Sequence, residues 1–439
     1  MNRKFSQTTF IFLGIVITSV MLALFFILHV GAEKFDKNNT VQLHFVDNIS
    51  SAHSIIIEQF NKINRGSIEV IPINLPFTKF STNERKELLA RSLRSKSNLI
   101  DIFSVDVIWV PRFAKWGERL DFFFTAQELD LLLAKALQSC FHNKQLVAIP
   151  LYTDVGVMYY RDDLISNHPE NETIKENLKK GITWSEFLEI KDQMQISNNN
   201  YYLFPAKNYE GLVCSFLEQV RNSSLPAGDK ASYNFNTNDA VKALEHLVNL
   251  VNKFDATPLE VIGFDEQQCY LYALERDVLF FRGWPGFPLQ HEELIERFNK
   301  TGLFKIAPIP YFEGSELAST IGGWNLMISK HSPYKREAVK FIKFVLKKEN
   351  QEILFLNGGY IPVNIQIYQD SLNLEKYSNL LYYKKLFDKG IHRPYIEEYT
   401  KISDVLSYYI RQAIKNEISP SEALAKATDL INNKKFIIR

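Results

Sequence analysis

The chain has few cysteines for its size: Cys140, Cys214 and Cys269 are the only ones in 439 residues, and none sits in CxxC spacing. That excludes a disulfide scaffold and a thiolate metal site, and leaves buried free thiols as the expectation. No GxxxxGK[ST] phosphate loop is present, so the chain should not hydrolyse ATP by itself; HExxH and GxSxG are also missing. None of the nine histidines recurs at i, i+4 spacing, and HEEL at His291 lacks the second histidine of a zinc helix. Neither sign of charge is in excess. With 51 Lys and Arg against 50 Asp and Glu, composition offers no electrostatic footprint for nucleic acid. No repeat of fixed period is visible. Catalytic residues, metal and cofactor are therefore all expected to be absent, and a neutral small-molecule partner is the easiest to accommodate.

What is present begins with length. A single core tends to stop growing near about 250 to 300 residues, so this chain suggests two or more domains, and an apolar share of 46% allows large cores. At the N-terminus, Arg3 and Lys4 precede FIFLGIVITSVMLALFFIL, Phe10 to Leu28, which carries no charge. With Val30 it nearly reaches the length that crosses a bilayer. The expectation is residues 1–9 in the cytoplasm, 10–30 as a transmembrane helix, and the main domain outside, periplasmic or extracellular. A cleaved signal peptide is the rival, with Val30-Gly31-Ala32 as its cleavage site, although its apolar core is normally shorter.

From Val41 onward strands and helices alternate: VQLHFV, a helix through Ile56 and Phe60, SIEVIPIN, a charged helix, then DIFSVDVIWV. That order signals an α/β unit with a largely parallel sheet, whose ligands bind at the carboxyl ends of the strands. Helices dominate the middle and the end of the chain, while FKIAPIP and GGWNLMIS restore strand texture late. Two lobes built from discontinuous segments follow.

Aromatic and carboxylate residues gather at the strand ends. Asp106 and Trp109 lie in SVDVIWV, Tyr152 and Asp154 in LYTD, Tyr209 and Glu210 in NYEG, Trp284 in RGWPG and Trp324 in GGW. Two tryptophans on turns at strand ends are hard to explain as core alone. A pyranose offers an apolar CH face to an indole and hydroxyls to carboxylates, so this mixture suits sugar recognition; unpaired buried hydroxyls would cost about 1–3 kcal/mol each. Aromatic faces also attract cations, so a choline-like solute suits the same walls. Asp106, inside an apolar strand, needs a partner or a cleft.

The segments DVIWVPRFAKWGERLDF, AIPLYTDVGVMYYRDDLI, ITWSEFLEI, NYEGLVCSFLE, LFFRGWPG, IAPIPYFEGSELASTIGGWNLMISKHSPYKREAVKFIKFV, GGYIPV and HRPYIEEYTKISDVL, in this order, resemble the family 1 extracellular solute-binding proteins, the maltose- and trehalose-binding group of ABC importers. The resemblance covers roughly residues 41–435. It implies a two-lobe periplasmic-binding-protein fold, α/β with a hinge, and no catalysis. Carried over by position, it implies ligand contacts from Asp106, Trp109, Tyr152, Asp154, Tyr209 and Glu210, with stacking by Trp284 and Trp324. Arg393 in HRPYI matches a position that binds sugar hydroxyls. The first ligand loop, DNISSAH, lacks the usual glycines and tryptophan, though Asp47 and Asn48 could bind hydroxyls there.

The expected lobes are residues 40–152 with 303–345, and 153–302 with 346–436. The expected function is the substrate-binding subunit of an ABC transporter, held at the cell membrane by its N-terminal helix. It would capture a sugar or polyol-like solute and deliver it to permease subunits driven by a separate ATPase. A glycoside hydrolase using two of Asp106, Asp154 and Glu210 as acid and base remains open, as does a sensory solute-binding protein.

Overall fold

In the first strand, β1 (Val41–Asp47), every residue from Leu43 on is buried, on both faces of the strand. That pattern belongs in the interior of a parallel sheet with helices on both sides. The computed structural model describes residues 40–436, apart from 78, 97–98, 196–199, 221–232, 318, 371–374 and 376. Here β1 pairs in parallel with β2 (Ile68–Asn74) and β3 (Ile102–Asp106). A hairpin, β4 (Phe141–His142) and β5 (Gln145–Leu146), precedes β6 (Ile149–Val155).

The second sheet is assembled from β7 (Val157–Arg161), β8 (Tyr202–Leu203), β9 (Phe280–Gly283) and β10 (Phe304–Ala307), in the order β10-β7-β9-β8. The last strand, β11 (Ile321–Ile328), returns to the first sheet, whose order is β2-β1-β3-β11-β6. It lies antiparallel between β3 and β6, so the first sheet is mixed. Helices Ser51–Ile63, Lys335–Val345 and Lys348–Gly358 cover this sheet, where Phe341 meets Phe45 and Phe60 edge to face at 5.7 and 5.1 Å.

The sheets divide the chain differently from the expected boundaries. Thr153 to Val155 continue β6 and pair with β11, and Thr153 N donates to Ile361 O at 3.0 Å on the other side. Phe304–Ala307 pairs with β7, in the second sheet. Helix Lys348–Gly358 packs on Ser51–Ile63, and Gln351 donates to the Leu151 carbonyl at 3.0 Å, which ties it to the first sheet.

The passage between the sheets is narrow. Gly156 N donates to Thr320 O at 3.0 Å, and Thr320 bridges Ile391 through Ile321 N to Ile391 O and Ile391 N to Ser319 O, both 2.8 Å. Gly156 leaves room for a buried carboxylate, since a Cβ there would stand 2.2 Å from Glu218 Oε1. Among the described residues no helix is long and apolar enough to cross a membrane. The apolar run at 10–30 lies outside the described residues.

Candidate functional site

The register of β11 builds one wall of a cavity between the sheets. Trp324 pairs with Asp106 on β3 and with Tyr152 on β6, so three residues far apart in sequence lie in one row across the strands. Gly323, inside β11 at φ +127°, takes a backbone conformation that favours glycine, and a Cβ there would stand 2.7 Å from the Tyr152 carbonyl. The opposite wall comes from the second sheet. Trp284 follows β9, and its indole Nε1 donates to Glu266 at 3.3 Å. The cavity encloses about 320 Å³, at the small end of the ~300–1,000 Å³ of ordinary small-molecule sites.

Asn48, Asp106, Tyr152, Asp154, Tyr209, Glu210, Trp284, Trp324 and Arg393 all line this cavity. Two expected residues do not. Asp47 is 2% exposed and faces inward, where it accepts from the Ser104 hydroxyl and from Arg85 Nη2 at 3.3 Å. A buried carboxylate needs such partners, and Asp47 finds them on β3 and on helix Thr82–Arg94. Trp109 is 3% exposed and packs edge-on against Trp324 at 5.4 Å, supporting the wall from behind.

The residues that do line the cavity are not equally free. Arg393 Nη1 donates to Glu210 at 2.8 Å and Nη2 to Asp106 at 3.3 Å, so one buried guanidinium joins β3 to helix Glu210–Leu217. Glu210 also accepts from Tyr399 at 3.0 Å and from Ser403, which occupies its oxygens. Burial holds the Asp106 carboxyl above its usual range, with Arg393 opposing. Tyr209 donates to Glu266. Asp154 differs from all of these: it accepts from Val155 N at 3.1 Å but has no ion-pair partner among the described residues. Burial pushes its carboxyl up to about 8.

Sequence reasoning missed several residues. Glu266, at the first position of helix Glu266–Arg276, collects Tyr209 and Trp284 Nε1. Tyr360 stacks on Tyr152 at 4.1 Å. Arg282 and Arg85 lie over Trp284 and Trp324. For Arg282 a signal existed: a charge inside the apolar strand LFFRG demands a buried partner, here Glu218 at 2.8 Å. Glu266 carried no comparable signal, since a first-turn glutamate is ordinary helix chemistry.

The match to a family model decides the kinship: residues 56–380 fit the bacterial extracellular solute-binding protein family. The chain belongs to that family. This solute-binding protein is 26% identical over 359 residues to a probable ABC transporter-binding protein of Deinococcus radiodurans, covering 78% of this chain and 82% of the relative. Among solved structures it is similar to maltose-bound T. maritima MalE3, with TM-score 0.76 and 26% identity over 90% of this chain and all of the other. A second similar structure is an ABC transporter solute-binding protein of Thermotoga lettingae bound with alpha-D-tagatose, TM-score 0.74 and 20% identity, covering 90% of this chain and 99% of that one. The mixed α/β fold is thus that of sugar-binding proteins of this class. Among the described residues no cluster of three or more His, Cys, Asp or Glu could hold a metal.

Proposed function

We propose that this solute-binding protein captures a sugar or polyol between two lobes and presents it to the permease of an ABC transporter, whose ATPase is a separate chain. One lobe is the five-stranded sheet with its helices and the other the four-stranded sheet with the remaining helices, hinged where Gly156, Thr320 and Ile391 run side by side. The apolar run at 10–30 would hold the protein at the cell membrane with the lobes periplasmic or extracellular. The relatives supply the ligand class: one is bound with maltose, another with tagatose. Ligand contacts would fall to Trp284, Trp324, Asp154, Tyr152, Asn48, Tyr209 and Asp106, with Glu210 and Arg393 bracing the lobes against each other.

The observation that carries this reading is the placement of Trp284 and Trp324, from different sheets, on one cavity together with the unpaired Asp154. An indole from each side can grip the apolar face of a sugar only when the lobes close, so the ligand favours the closed form by binding it better. Hydrolysis fits the geometry less well. Arg393 stands between Asp106 and Glu210, where a glycosidic oxygen would have to lie between acid and base.

Calorimetric titration of the full chain with maltose, tagatose and ribitol tests the reading, with product analysis after overnight incubation. Saturable binding with the ligand recovered intact is expected. Cleavage of maltose, or no binding by any of the three, would overturn it.

A further inference from the structure

Both cavity tryptophans have the same backing. The Arg282 guanidinium carbon lies over the Trp284 ring at 3.9 Å from its centroid, and Arg85 lies over Trp324 at 4.3 Å. Each guanidinium is buried and tied to a buried carboxylate. Arg282 donates to Glu218 through Nε at 3.2 Å and Nη2 at 2.8 Å; Arg85 donates to Asp47 at 3.3 Å. The carboxylates are anchored in turn, Glu218 by Thr320 N and Oγ1 and Asp47 by the Ser104 hydroxyl. The two systems share no residue: Arg282 lies on β9, and Arg85 on helix Thr82–Arg94.

We propose that Arg85 and Arg282 are positioning residues that set the charge class of the ligand, turning the indoles toward uncharged polyhydroxylated solutes and against organic cations. This rests on the ligand site named under the proposed function. An indole attracts a cation through the negative potential of its faces. A guanidinium on one face already draws on that potential, and a second cation across the ring meets the first at short range in a medium of low polarity. A sugar CH face carries no such penalty.

The same contacts orient the rings. Trp284 is held by Arg282 on its face and by Glu266 at Nε1, with its rim against Gly322. Trp324 is held by Arg85 over its face and by the rings of Trp109 and Phe77 edge-on at 5.4 and 5.7 Å. Asp154, the unpaired carboxyl on the cavity, does not restore cation selectivity at neutral pH. Burial keeps it largely protonated there, so it offers a hydroxyl to the ligand more than a counter-charge.

The test is calorimetric titration of the full chain with maltose, ribitol, choline and glycine betaine, in wild type, Arg282→Met, Arg282→Lys, Arg85→Met and Arg85→Lys. Removing either arginine strands a buried carboxylate, so the paired changes Arg282→Met with Glu218→Gln and Arg85→Met with Asp47→Asn are measured where a single variant lacks a cooperative melt. The wild type should bind maltose or ribitol far more tightly than it binds either cation, whose weak affinity is read by competition. In folded Met variants the neutral ligand should weaken about tenfold and the ratio of neutral to choline affinity should narrow about tenfold or more, with Lys restoring most of both. A merely structural role would weaken all ligands together and leave that ratio alone. An unchanged ratio, or choline binding to wild type as tightly as maltose, would overturn the inference while leaving carbohydrate capture standing. Binding of choline with no carbohydrate bound would sink both.

Discussion

The rim of the Trp284 indole lies against Gly322, so closely that a methyl group on that glycine would stand 3.0 Å from Cζ3 and 3.1 Å from Cη2. Trp284 follows a strand of the second sheet and Gly322 belongs to a strand of the first. The contact therefore measures how far the two halves have approached each other.

Two neighbouring glycines should consequently respond differently to alanine. Gly322→Ala displaces an indole rim and should weaken ligand binding about tenfold with little loss of stability. Gly323→Ala meets the Tyr152 carbonyl at 2.7 Å with φ at +127°, and strained backbone of that kind should cost about 1–3 kcal/mol of stability. Melting curves beside titrations separate the two. Equal melting losses would contradict the assignment.

The tryptophans should also differ. Trp284 is half-buried, whereas Trp324 is 8% exposed and largely packed against Trp109, Phe77 and Arg85. Trp284→Ala should weaken carbohydrate binding by about 1–3 kcal/mol while the protein melts near the wild-type temperature. Trp324→Ala should destabilise the fold by about 3–5 kcal/mol as well as weaken binding. Trp109→Phe should leave affinity within a factor of about three, since its side chain does not line the cavity.

Arg393→Met tests the brace across the cavity. The change leaves Asp106 and Glu210 without their shared guanidinium; both are half-buried and Glu210 keeps Tyr399 and Ser403, so the cost should fall below the ~3–5 kcal/mol of a fully buried broken pair. Arg393→Lys keeps the charge but cannot reach both carboxylates with a planar fork, so an intermediate loss is expected. Denaturant titration reads both; a Met variant as stable as wild type would show the bridge to be dispensable.

Asp154 predicts a pH dependence. The native carboxyl, half-buried in the cavity wall, is pushed up to about 8 by desolvation, against about 4 in the unfolded chain. Between those values the native state holds a proton the unfolded state has released, so stability falls as pH rises. The contribution is fully present below about pH 4 and is lost as pH rises through about 8. Asp154→Asn should remove this slope and be more stable than wild type by about 1 kcal/mol or more at pH 8.5, with the gain vanishing near pH 4. Parallel stability curves across that range would refute it.

Much of the cavity lining was legible because its residues obey local rules. Trp284 follows a strand on a glycine turn, Asp106 ends an apolar strand, and Tyr152 and Asp154 share one strand; each position advertises itself within a few residues. Trp324, expected on a turn at the mouth of a strand, lies inside β11 with partners on both sides. Asp47 and Trp109 obey the same rules but do not line the cavity: Asp47 is bonded to Ser104 and Arg85, and Trp109 packs behind Trp324. Alternation along a strand tells which residues share a face, but which face meets the cavity depends on what lies behind the sheet. Arg85, Glu266 and Tyr360 could not be found, because their meaning comes from contacts with residues distant in sequence.

The lobe boundaries divide along the same line. Alternating strands and helices announced an α/β chain with two discontinuous halves, since burial periodicity is written into neighbouring residues. Only the folded chain decided that Phe304–Ala307 joins β7 and that helix Lys348–Gly358 rests on Ser51–Ile63. Composition and periodicity determined the kind of layers this protein has and the kinds of side chain at their ends. The pairing of Trp324 with both Asp106 and Tyr152, and the arginine behind each indole, came from tertiary structure alone, because strand register and side-chain stacking are settled by long-range packing that no local stretch of sequence contains.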